Sequence, residues 1–227
     1  MRSRFTLPAL LLGVTGLSAG LLGCKASVEA ELNVTDLREQ VTRPLIASAH
    51  VHVDGCERIS GGSEEPGSLD WTQWVLSGVF PDTRYRSCDS KAEGGVAFFR
   101  NMVLIDGAPD EALTGLSHVN IKVGEQHLGI GIPPLVQEHI ERVRGQVGNR
   151  SEPAISTALV LINDSDSAFD YRVAEGLEGD ELRFGPSVRL EAGKRSRVEL
   201  PEAFATRVLE QGRATALRFE DPASGTH

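Results

Sequence analysis

The sequence predicts an α+β fold, mainly antiparallel β-sheet with two or three short packed helices, and three observations lead there. Apolar and polar residues alternate over many short stretches. Glycine is frequent, at 24 of 227 residues, while aromatic residues make up only 5%, a balance that favours strands and turns over a helical bundle. A helical apolar stripe occurs in only a few segments.

Taken in order, Ser27–Val34 alternates with Val28, Ala30, Leu32 and Val34 on one side, which is the period of a half-buried strand. Thr35–Leu37 reads as a turn or helical turn. Leu45–Val53 alternates again, with Leu45, Ala47, Ala49, Val51 and Val53 inward, and the two segments are expected to pair antiparallel. Gly61–Gly67 is a loop by composition, and Ser68 can cap a short helix carrying Trp71, Trp74 and Val75 on one face, stopped by Pro81–Asp82. Strand patterns recur at Val96–Ile105, His118–Val123 and Leu128–Ile132. Pro133–Pro134 then opens the clearest helix, Leu135–Val147, with Leu135, Val136, Ile140, Val143 and Val147 in one stripe. After a polar joint at Gly148–Pro153, strands are expected at Ala154–Asn163, Phe169–Ala174, Ser187–Leu190 and Arg197–Leu200. A helix over Pro201–Glu210 and a strand over Thr215–Phe219 close the fold. The organisation is a signal peptide over 1–23, a lipid-anchored α+β region over 24–150, a β-rich region over 151–220 that joins the same domain or forms a second, and a disordered tail over 221–227.

The leader is read from chemistry. Arg2 and Arg4 precede an apolar run from Phe5 to Leu22, and small Gly23 stands before Cys24. Leu21-Leu22-Gly23-Cys24 resembles the lipobox of bacterial lipoproteins, with Leu22 bulkier than the usual residue. The resemblance implies cleavage before Cys24, acylation of that cysteine (diacylglycerol and an amide-linked chain such as palmitate), and a membrane-attached protein outside the cytoplasm. Lys25 in place of Asp lacks the enterobacterial inner-membrane retention signal, which favours the outer membrane of a Gram-negative cell. Each buried methylene contributes about 0.8 kcal/mol, so two or more chains anchor stably without an apolar protein face. Cleavage removes two of the 23 basic residues and none of the 32 acidic ones, taking the net charge from −9 to −11. Such a surface repels phosphate backbones, so a nucleic-acid partner is not expected.

With Cys24 lipidated, Cys56 and Cys88 remain, and an even pair in an oxidising compartment is most simply a disulfide. A redox pair or a thiolate metal site needs closer spacing or further ligands. His50 and His52, two apart on one strand face, have a spacing that can chelate a transition metal if His118, His127 or His139 is brought near; otherwise they are polar residues on the wet face of an edge strand. Trp71 and Trp74, with Phe80 and Tyr85, can line a ligand groove or form a contact patch, or the pair can simply anchor a helix to a sheet. Asp164, Asp166 and Asp170 alternate as calcium ligands do, but the run lacks the glycine and terminal glutamate of a calcium loop and reads as a solvated turn. Gly-x-Ser-x-Gly, Ser-x-x-Lys and His-Glu-x-x-His do not occur, and Gly129-x-Gly131 leads into prolines rather than a phosphate-binding helix start. No enzyme activity and no cofactor are expected.

The succession of lipobox, short strand, Val34-Thr35-Asp36-Leu37, a second strand ending Asp54-Gly55-Cys56 and the later Cys88 is similar to an uncharacterised family of small lipoproteins of Gram-negative genomes and prophages. That similarity covers about the first 65 residues after the leader. It implies an outer-membrane-attached α+β domain and a setting in which such lipoproteins block a surface receptor against a second phage; it supplies no catalytic or binding residues. Three readings follow. The first is a non-enzymatic binding protein that contacts another outer-membrane or periplasmic component, receptor blocking being one form of it. The second is a carrier of small apolar molecules or lipids, with a pocket between a curved sheet and the Leu135–Val147 helix, and the third is a metal-binding protein using His50 and His52.

Overall fold

A computed structural model describes residues 26–53, 56, 68–91, 94–107, 118–147, 155–178 and 181–220. The expected signal peptide with Cys24, the expected Gly61–Gly67 loop and Gly148–Pro153 joint, and the expected tail from Asp221 lie outside the described residues.

β1 (Ala26–Asn33) and β2 (Arg43–Val53) form the expected antiparallel pair, joined through the one-turn helix α1 (Val34–Arg38). In β2 every second residue from Leu45 to Val53 is buried, as the alternation requires. Helix α2 (Ser68–Ser77) leads into β3 (Arg84–Lys91) and the long β4 (Gly94–Asp106). One edge of β4 pairs with β2 along its whole length. The other edge is shared: β3 takes its first half and β5 (Asn120–Val123) its end. Between them the Met102 N–H donates to the Pro81 carbonyl at 3.0 Å, so the α2–β3 linker supplies the partner that a strand would give this donor.

β6 (His127–Gly131) returns beside β5 and runs into helix α3 (Pro134–Val147). β7 (Ile155–Ile162) follows, then β8 (Phe169–Glu178), β9 (Glu181–Phe184), β10 (Val188–Leu190), β11 (Arg195–Leu200), helix α4 (Glu202–Gln211) and β12 (Arg213–Phe219). Gly212, at φ 74°, occupies the left-handed position that ends α4, so β12 begins at once.

The strand order is β10-β8-β12-β6-β5-β4-β2-β1-β7-β11, with β3 also on β4 and β9 also on β8. The sheet is mainly antiparallel, as expected, but mixed: β1 lies parallel to β7, and β4 parallel to β5. The reason is connectivity. The chain leaves β6 through α3 and enters β7 at the rim where β1 also begins, so β7 runs in the same direction as the β1 strand it lies beside. Residues on both sides of position 150 therefore share one sheet.

The sheet curls until its ends approach, and the Tyr171 hydroxyl of β8 donates to Ser196 Oγ of β11 at 2.8 Å. One core runs inside the curl, with Leu32, Phe99, Ile105, Leu128, Leu161, Tyr171 and Leu217 from the strands joined by Leu69 and Leu76 of α2 and Phe204 and Val208 of α4. Asn163 pins the curl where β7 turns toward β8 and β10 toward β11. Fully buried, it donates from Nδ2 to the Ser167 and Leu190 carbonyls at 2.9 and 2.8 Å and accepts from the Ser165 N–H and hydroxyl. Four satisfied contacts are what make a buried amide tolerable.

Cys56 and Cys88 form the expected disulfide, with Cα atoms 5.6 Å apart. It ties the segment containing α2 to the sheet, and the chain-entropy estimate for a loop of this length is about 3 to 4 kcal/mol. Gly95, across the strand, makes room for it: a Cβ there would stand 2.5 Å from Cys56 Sγ.

Two rims result. One carries Ala26, Val53, Lys91, Gly94, Ile155 and Leu200; the other carries α1, Asp106, the Val123–His127 turn, the Asn163–Ala168 turn and the Leu190–Arg195 turn.

Candidate functional site

On the outer face, His50 and His52 project together, but β2 lies between β1 and β4 and is not an edge strand. The His50 ring rests on Phe98, its cross-strand neighbour, with centroids 4.8 Å apart. His127 stands at the opposite rim, and the His139 ring is engaged by α2. Among the described residues no three His, Cys, Asp or Glu side chains form a group that could hold a metal ion.

The Asp164–Asp170 run is a turn whose acids serve separate partners. Asp164 accepts from the Thr35 N–H at 3.0 Å, satisfying one of the free donors at the start of α1. Burial pushes its carboxyl up, but the hydrogen bonds from Thr35 and the nearby Arg43 charge outweigh that and hold it below its ordinary 3.8. Asp170 pairs with Arg189 at 3.0 Å. Arg38 binds the same turn through the hydroxyls of Ser165 and Ser167 and the carbonyl of Ala168.

The four aromatic residues of the disulfide-closed loop take different places. Phe80 is buried in the core, and Tyr85 packs edge-on against Phe99 at 5.8 Å. α2 buries Leu69, Thr72 and Leu76 rather than its tryptophans, because the i, i+3, i+7 positions that meet the sheet are those three. Trp71 is half-buried at the side, and Trp74 is 43% exposed.

Trp74 is held in place from α3. Its ring lies 5.0 Å from the His139 ring, and His139 Nε2 is 3.1 Å from the Val75 carbonyl, an arrangement that places the imidazole proton on Nε2. The imidazole fits because residue 78 is glycine: a Cβ there would stand 2.2 Å from His139 Nε2. On α3, Leu135 is one turn before His139 on the same face and is 61% exposed, although its apolar character predicts a buried stripe position. Val136 is the residue that turns inward, fully buried. Trp74 of α2 thus meets His139 of α3, with Leu135 one turn along the same helix face, and Asp70, Ser77, Glu138 and Arg142 of the same two helices are exposed. Among the described residues the other exposed large apolar side chains, Ile46 at 51% and Val188 at 38%, stand on separate strands.

Two polar features carry no pattern that sequence reading can find. Lys122 and Asp106 form a buried ion pair at 2.6 Å, with Thr42 Oγ1 donating to Asp106 at 3.2 Å. On the outer face of β1, β7 and β11, Glu29 pairs with Arg197 at 2.7 Å and Glu31 with Arg195, and these charges close over Ala158 and Val160 of β7. The stems of the long side chains thereby bury the outward-facing apolar residues of the central strand.

No described helix is long and apolar enough to cross a membrane. Comparison with protein-family models, with curated proteins and with solved structures finds no match.

Proposed function

We propose that the protein is a lipid-anchored, non-enzymatic envelope protein that contacts another outer-membrane or periplasmic protein through the Trp74–His139–Leu135 patch. One observation carries the reading: a tryptophan 43% exposed yet fixed by a ring contact, beside a leucine 61% exposed. A pre-positioned, solvent-facing tryptophan is the kind of residue that dominates binding energy, because little side-chain entropy is left to lose when a partner covers it. The exposed polar residues of the same two helices fit the usual anatomy of a protein contact. Leu21–Cys24 supports the anchor, and a disulfide suits an oxidising compartment. The carrier reading lacks comparable support, since Phe99, Tyr171 and Phe204, all fully buried, occupy the interior of the curl.

The test is crosslinking and co-purification from a Gram-negative host, comparing wild type with Cys24→Ser and with Trp74→Ser. One envelope protein enriched by the wild type and lost from both variants is the expected result. Equal recovery with Trp74→Ser refutes the patch; equal recovery with Cys24→Ser refutes the need for the tether.

A further inference from the structure

The lipid on Cys24, if present as proposed above, constrains the body because almost no chain separates it from the sheet. β1 begins at Ala26 and is held on both sides, antiparallel to β2 and parallel to β7, with Ala26 itself opposite Val51 and Ile155. The two peptide steps from Cys24 to Ala26 reach about 7 Å at most. From the level of Ala26, β2 continues two more residues to Val53, which is about 7 Å of strand. Val53 is opposite Gly95, and Gly95 opposite Ser90, so the β2–β4–β3 group extends beyond the level of Ala26 by about as much as the two-residue tether can reach. The Cys56–Cys88 disulfide lies at this tip, against Gly95.

We infer that this rim, with His52, Val53, Ser90, Lys91 and Gly94 at its tip, is the surface that docks on the lipid headgroups, and that the α1 rim points away from the membrane. The reading rests on lipidation of Cys24. The length of the tether agrees with it, being too short to let the body turn over: presenting the α1 rim to the bilayer would require the chain to span the length of β1, eight residues or about 26 Å, from an attachment that reaches about 7 Å.

The test uses the full-length lipidated protein with its native disulfide, reconstituted in vesicles of phosphatidylethanolamine and phosphatidylglycerol that carry a headgroup-attached nitroxide quencher. A fluorophore is placed through Ser90→Cys at the docked rim or through Asp166→Cys at the far rim. Ser156→Cys, exposed and also at the docked rim, serves as a second probe should the Ser90 change disturb the neighbouring disulfide. Several-fold stronger quenching at Ser90 and Ser156 than at Asp166 is expected. Equal quenching at the three positions, or stronger quenching at Asp166, overturns the orientation while leaving the anchor intact. Mass spectrometry of the same sample reads the anchor separately: an N-terminal peptide without the lipid mass on Cys24 overturns both.

Discussion

The outer wall of β1, β7 and β11 and the face formed by α2 and α3 handle the same problem in opposite ways. Each presents apolar groups on the outside of the core. On the wall, Ala158 and Val160 are covered by Glu29, Glu31, Arg195 and Arg197 reaching across the central strand, and they end 3% and 7% exposed. On the helical face, Trp74 and Leu135 stay open although the same two helices carry Asp70, Glu138 and Arg142. A chain that closes charged side chains over small residues in one place and leaves a tryptophan uncovered in another fits the proposed binding partner at the second place.

The contrast can be broken at its ionic elements first. Lys122–Asp106 is buried, so Lys122→Ala leaves a carboxylate without its counter-charge, and a loss of about 3 to 5 kcal/mol is expected in urea unfolding. A loss below about 1 kcal/mol would mean that the buried pair behaves like a surface pair. The helical face is next. Gly78→Ala forces the His139 ring off its seat, which overpacking in comparable sites sets at about 1 to 3 kcal/mol, and the near-ultraviolet circular dichroism of Trp74 should change with it. An unchanged spectrum would show that His139 does not fix the indole.

Acid sharpens the comparison without mutation. Burial lowers the His118 pKa from 6.5, so the unfolded chain takes up the proton first as the pH falls, and stability declines below about that value. Asp164 works at lower pH: its depressed carboxyl contributes stability above 3.8 that is lost as the pH drops through its folded value. Urea midpoints should therefore fall in two stages, and His118→Gln should remove the first. Smallest of all is the wall pair. A double-mutant cycle on Glu31 and Arg195, both more than half exposed, should give a coupling of about 0.5 kcal/mol or less that vanishes in high salt.

Strands with a wet and a dry face were legible from alternation alone, as β2 and β4 show, and the stop signals around α3 and α4 placed those helices to within a residue or two. β3 was not legible, because Arg-Tyr-Arg-Ser-Cys-Asp-Ser-Lys buries almost nothing and is a strand only through its pairing with β4. The parallel β1–β7 contact depends on the rim at which the chain enters β7, which no local pattern encodes. At the site, the tryptophans were legible as candidates, but their roles were not. Periodicity groups Trp71, Trp74 and Val75, whereas the sheet selects Leu69, Thr72 and Leu76, and the partner of Trp74 comes from His139, 65 positions away. Gly78 before the Val79–Phe80 pair was the one local sign of a close approach, and glycine at a helix end has a commoner explanation.

The most direct measurement places a photo-reactive phenylalanine derivative at Leu135 and, in a second strain, at Glu31 on the wall, in the full-length protein within intact cells. A discrete crosslinked envelope protein from position 135, weakened by Trp74→Ser and missing from position 31, is the predicted result. Crosslinks that are equally abundant from both positions, or that survive Trp74→Ser unchanged, would contradict the assignment of the helical face as the binding surface.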